Sequence, residues 1–211
     1  MNDGVTATLN PWTSIWVRPR ATIQHIVDTE LEKHVVALAA LSGIVQALDN
    51  ASGRSLGDAL PFPVVLGLVL ILGPIFGLIG VYLWAWLLRW TGRWLGGQAT
   101  LPQLRTAIAW GSVPMIAAGV PLLLVLILIG PELFTENTPR LDARPTLAIV
   151  ALGLVLVQAV LMLWSVVTLL KTVAQVQGFS VWRAFVNNMA PLLMVFAIGV
   201  AAAVVVPMVA G

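Results

Sequence analysis

The chain's only two imidazoles, His25 and His34, stand nine residues apart in a stretch that also carries Asp28, Glu30 and Glu32. These residue types ligate metals and relay protons, so acid–base or metal chemistry would have to start here. Their setting argues for something plainer. Ile23, Ile26, Val27 and Leu31 recur at helical spacing, with Gln24, Asp28, Glu32 and Lys33 opposite, and a solvated helix face explains the carboxylates and histidines better than a ligand set does. With no cysteine in the chain, thiolate nucleophiles, disulfides and thiolate metal sites are excluded. No HExxH, Walker-type or GxGxxG pattern occurs. The reading is a non-enzyme with no cofactor, no metal site and no nucleic-acid partner.

The remaining polar groups of interest lie within apolar runs. Gln158 is read as the one long polar side chain at the middle of its run, with Ser165 and Thr168 further along. An interhelical hydrogen bond is its simplest use, and a polar groove for lipid headgroups is the alternative. Ser42 and Gln46 are one helical turn apart, with Asp49 and Asn50 beyond them. The long apolar runs hold no ionisable group, which removes the usual machinery of proton- or ion-coupled transport.

These groups must be positioned by membrane helices. Of 211 residues, 59% are hydrophobic and only 9% charged, against about a quarter charged in globular chains. A spanning helix needs roughly 20 mostly apolar residues, because each backbone amide must be satisfied inside the segment. Runs 59–88, 106–131, 145–170 and 184–211 carry no Asp, Glu, Lys, Arg or His. Segment 35–48 has only 14 residues between His34 and Asp49, and charge decides its case. If it crosses, eight cations (Arg18, Arg20, Lys33, Arg89, Arg93, Arg105, Lys171, Arg183) lie inside and three (Arg54, Arg140, Arg144) outside; if it does not, the division is five against six. The positive-inside bias selects crossing. The fold class is therefore an all-α polytopic bundle of five transmembrane helices at about 35–50, 62–88, 106–130, 146–170 and 191–209. Residues 1–34 form a cytoplasmic segment ahead of the 35–211 membrane domain, and its amphipathic helix is expected on the inner leaflet. No secretory leader is expected, since residues 1–10 lack a cationic start and an apolar core.

All nine tryptophans fall in the inner half of this topology. An aromatic belt at headgroup level accounts for them. A sharper reading singles out Trp86, Trp90 and Trp94, spaced by four residues beside Arg89 and Arg93, as one helical stripe for lipid headgroups or a partner. Gly73 and Gly77 form a GxxxG around Pro74, giving close helix approach and a kink, and Gly111, Pro114, Gly119 and Pro121 bend the third span. The two inner loops share a layout. Gly96-Gly97 stops one helix before Thr100-Leu101-Pro102-Gln103, a capping box, while Gly178 precedes Ser180 as N-cap; each is expected to open a short interfacial helix.

Asn10-Pro11-Trp12, followed by Ile15 and Pro19-Arg20, resembles the start of bacterial members of the Yip family, the Ypt/Rab-interacting membrane proteins. Gly96-Gly97, Leu104 and Gly111-Ser112-Val113-Pro114 resemble that family's entry into its third span, and Gln177-Gly178-Phe179-Ser180 with Arg183-Ala184 its last inner loop. The resemblance covers essentially the whole chain and implies five spans with a cytoplasmic N-terminus. Eukaryotic relatives bind Rab-type GTPases, but their long cytosolic region and Asp-Leu-Tyr-Gly-Pro signature are missing here, so that role does not carry over.

The expected function is a non-enzymatic organiser or adaptor of the bacterial inner membrane. Its partners would be membrane lipids, another membrane protein or a second copy of itself. The rival is a transporter or scramblase-like protein moving a lipid or small uncharged solute through the kinked spans. With N-terminus cytoplasmic and C-terminus periplasmic, a periplasm-dependent reporter enzyme fused after Gly211 is expected to be active; silence there overturns the topology.

Overall fold

The computed structural model describes residues 9–210, with side chains described for 9–194, 196 and 197. Every regular element among them is helical: α1 (Pro11–Ser14), α2 (Pro19–Thr29), α3 (Val35–Gly53), α4 (Phe62–Trp94), α5 (Leu101–Gly111), α6 (Val113–Ile129), α7 (Pro139–Asp142), α8 (Pro145–Gln177) and α9 (Val181–Ala210). Prolines set the starts. One lies in the first turn of each of α1, α2, α4, α5, α6, α7 and α8, where the missing N–H costs nothing. Two ends are set by glycine. Gly96 (φ 83°) and Gly178 (φ 72°) take left-handed conformations, and the residues after them donate back to Gly92 and Ala174 carbonyls at 2.8 Å. That is the same Schellman stop twice.

Four stretches are long and apolar enough to cross a membrane: Val35–Gly53, Phe62–Trp94, Leu101–Phe134 and Pro145–Gln177. The doubtful first span gains residues to Gly53, and its 19 residues extend about 28 Å against about 30 Å of hydrocarbon. The expected fifth span, 191–209, falls in α9, whose side chains at 195 and from 198 onward lie outside the described residues.

Three local expectations change. The capping box forms, with Thr100 and Gln103 bonded reciprocally, but the helix it opens, α5, is not an uncovered one. It is enclosed by α2, α3, α4 and α8, because its Ala107-Ile108-Ala109-Trp110 run is apolar all round and such a helix must be covered. Ser180 accepts the Arg183 N–H at 3.3 Å, yet the helix it starts runs unbroken through Pro191 to Ala210, so no separate short helix precedes it. The apolar face of α2, Ile23 and Ile26, expected on lipid, is covered by α5 and α8 of the same chain.

The tightest packing joins α3 to α4. A Cβ placed on Gly43 would stand 2.7 Å from the Gly77 Cα, and one on Gly73 would stand 2.9 Å from the Ile44 Cα. The GxxxG of α4 therefore has Gly43 as its partner, backbone against backbone. Pro74 sits inside α4 without ending it. Gly43→Ala should cost about 1–3 kcal/mol through overpacking, whereas Gly153→Ala, where a Cβ meets nothing within 4 Å, should gain up to about 1 kcal/mol from helix propensity. Denaturation in detergent followed by tryptophan fluorescence measures both.

Candidate functional site: a tryptophan-rich end and an intramembrane crevice

The bundle has two distinct ends. At one, the N-terminal segment meets α8 and the turn that follows it: Arg20 donates to the Phe179 carbonyl at 3.2 Å, Gln175 to Gln24 at 3.1 Å and the Trp164 indole N–H to the Trp16 carbonyl at 3.1 Å. At the other, the loops after α3 and α6 join, with Ser52 donating to the Leu133 carbonyl at 2.8 Å and the Glu136 N–H to Asp58 at 3.1 Å. The eight-to-three division of cations follows these ends.

The family-like residues converge at the first end. Asn10 caps α1 by accepting the Trp12 N–H at 3.1 Å, with Pro11 in the first turn. Trp12 then packs on Trp110 and His34, ring centroids 4.8 and 5.7 Å apart. Trp110 is 1% exposed and donates to the Lys33 carbonyl at 3.3 Å, so it is core rather than part of the expected belt. Pro19 opens α2 and is buried. Gly111 abuts α8, where an added Cβ would stand 3.0 Å from the Leu169 Cα, and the helix breaks at Ser112 before Pro114 enters α6. Gly97 lies under Phe179, an added Cβ standing 2.9 Å from its ring. Gly96, Gly178 and Ser180 shape the turns already described.

The carboxylates near the histidines are engaged. Glu30 pairs with Lys33, and Glu32 meets Arg105 at 2.8 Å while the Arg105 guanidinium lies 4.7 Å from the Tyr82 ring centre. Asp28 accepts from Gln24 at 2.9 Å. Among the described residues no three His, Asp or Glu side chains gather as a metal would need.

Trp86, Trp90 and Trp94 form the expected ladder. Trp86 and Trp90 stack at 6.0 Å, Trp90 and Trp94 meet edge-on at 4.7 Å, and all three are exposed. Arg89 and Arg93 border a shallow hollow of about 160 Å³ with Trp86 and Trp90. Neither arginine has an ion-pair partner among the described residues.

Gln158, 6% exposed, donates to the Asp49 carboxylate at 2.7 Å. It joins α8 to α3, an interhelical hydrogen bond with the Asp49 side chain as the acceptor. A crevice of about 800 Å³ opens between α3, α4, α6 and α8. Ser42, Gln46, Asn50 and Arg54 line one side, and Ser112, at the helix break, lies on another.

Sequence reasoning missed a set of buried amides. Gln177 donates to the Leu88 carbonyl at 3.1 Å and accepts the Ala99 N–H at 3.3 Å. Asn187, with no exposed surface, donates to the same Leu88 carbonyl at 3.3 Å and accepts the Thr91 hydroxyl at 2.7 Å. Asn188 accepts the Trp84 indole N–H at 3.3 Å. The signal was present in Asn187-Asn188, two amides opening an apolar run.

The Yip1 domain family model matches residues 13–203. The chain belongs to the Yip1 family. No curated protein and no solved structure matches it. The Yip1 match contains all the motif residues from Pro19 to Ser180, while Asn10, Pro11 and Trp12 lie just ahead of it. In this Yip1-family chain the motif residues act on architecture: caps, turns and close approaches at one end of the bundle. Replacing Gln177 with Leu orphans the Ala99 N–H and should cost about 1–3 kcal/mol, measurable as a lowered thermal midpoint in detergent.

Proposed function

We propose that this Yip1-family chain is a non-enzymatic protein of the bacterial inner membrane, N-terminus cytoplasmic and C-terminus periplasmic, that organises membrane through lipid or membrane-protein contacts. The observation that carries the reading is the exposed Trp86–Trp90–Trp94 ladder flanked by two arginines that have no ion-pair partner among the described residues. Indoles are at home at headgroup depth, one end apolar and the other wet. Guanidinium groups offer forked donors that match phosphate oxygens. The same face would serve a partner membrane protein or a second copy of the chain, and a Rab-type GTPase is no part of the proposal.

Basic residues near an anionic surface are worth about 1 kcal/mol each. Replacing Arg89, Trp90 and Arg93 with alanine should therefore weaken retention of anionic lipid by at least about tenfold, read by native mass spectrometry. Unchanged retention would sink the lipid version of the proposal. A second reading, transport of a lipid or small uncharged solute, is favoured by one feature, the helix break at Ser112 beside a crevice. Proteoliposome flux separates the two, since an organiser gives none.

A further inference from the structure

α3 carries a polar stripe that runs alongside the surface gripping α4. Ser42, Gln46, Asn50 and Arg54 recur every four residues and all border the crevice. The stripe covers about 18 Å of helix axis, more than half the roughly 30 Å of hydrocarbon. Polar side chains at such depth are costly on lipid and belong on cavities. The amides are only half used. Gln46 donates to the Ser42 carbonyl at 3.3 Å and Asn50 to the Gln46 carbonyl at 2.8 Å, which leaves each a second N–H and an oxygen with no protein partner among the described residues.

Charge and shape then name an occupant. Arg54 is the one ionised side chain on the lining, it has no ion-pair partner among the described residues, and the nearby carboxylate, Asp49, is turned to Gln158. The opposite wall is apolar, with Phe76, Met115 and Leu169, and the volume of about 800 Å³ lies within the roughly 300–1,000 Å³ of ligand pockets. One anion at the membrane edge, neutral hydrogen-bonding atoms below it and hydrocarbon beside them describe an amphiphile. We propose that the crevice binds one anionic phospholipid from the leaflet on the Arg54 side. Its phosphodiester pairs with the Arg54 guanidinium, its glycerol-ester oxygens accept from the Asn50 and Gln46 amides, and an acyl chain lies along Phe76 and Met115. The site stands independently of the tryptophan ladder, which occupies the opposite end of the bundle.

The test uses the full chain in detergent, in a background with Arg89→Ala and Arg93→Ala so that the ladder does not contribute. Native mass spectrometry with phosphatidylglycerol, phosphatidylcholine and inorganic phosphate as separate probes should show phosphatidylglycerol bound best and phosphate unable to displace it. Arg54→Gln should weaken phosphatidylglycerol about tenfold, the usual worth of one charge-assisted contact. Gly80→Leu fills the crevice, since Gly80 lines it and a Cβ there meets nothing within 4 Å; it should weaken both lipids while leaving thermal stability equal or higher. Because the chain has no cysteine, Ser112→Cys supplies a single thiol on the lining, and added phosphatidylglycerol should slow its alkylation by a maleimide. Equal lipid binding by the parent, Arg54→Gln and Gly80→Leu, displacement by free phosphate, or alkylation indifferent to lipid would each overturn the proposal.

Discussion

The contact of Gly43 with Gly73 and Gly77 is the constraint on which the bundle depends. In hydrocarbon there is no hydrophobic gain from bringing two apolar helices together, so association rests on dispersion, and dispersion demands short distances. Glycines on both surfaces let the backbones of α3 and α4 touch. That contact fixes how α3 is rotated about its axis. With Gly43 turned to α4, Asp49 is presented to Gln158 on α8, and the Ser42-to-Arg54 stripe is left facing the crevice. A shorter, less apolar helix than its neighbours is thereby held in the bundle and given a polar side.

Local structure was legible in the sequence where it depends on a few adjacent residues. The Thr100–Gln103 box, the glycine stops at 96 and 178 and the Ser180 cap are short-range chemistry, and each formed. What eluded sequence reasoning was pairing across distance. The GxxxG announced a close approach, and the small residues Ala39, Gly43 and Ala47, four apart on α3, were a signal for its partner that went unread. Trp110 looked like any interfacial tryptophan, and its burial depends on Trp12 arriving from a hundred residues away. The apolar side of α2 likewise gave no hint that α5 and α8 would cover it in place of lipid, since each option satisfies the same pattern.

The placement of the motif residues gives Yip1-family membership a physical content. Asn10, Pro11 and Trp12 hold α1 against Trp110, two residues before the helix break at Ser112, while Gly97 admits Phe179 and Gly111 admits α8. These residues tie the N-terminal segment, the helix break and the turn after α8 into a single unit. The ladder lies outside that unit, whereas the crevice reaches it at Gly111 and Ser112.

The Leu88 carbonyl accepts side-chain amides from both Gln177 and Asn187. One backbone oxygen of α4 thus sets the axial registry of α8 and α9 together. Sliding α4 by a single residue, about 1.5 Å, would strain both bonds at once and leave buried amides unpaired at about 1–3 kcal/mol apiece. Shear among those three helices is therefore mechanically coupled at that one carbonyl.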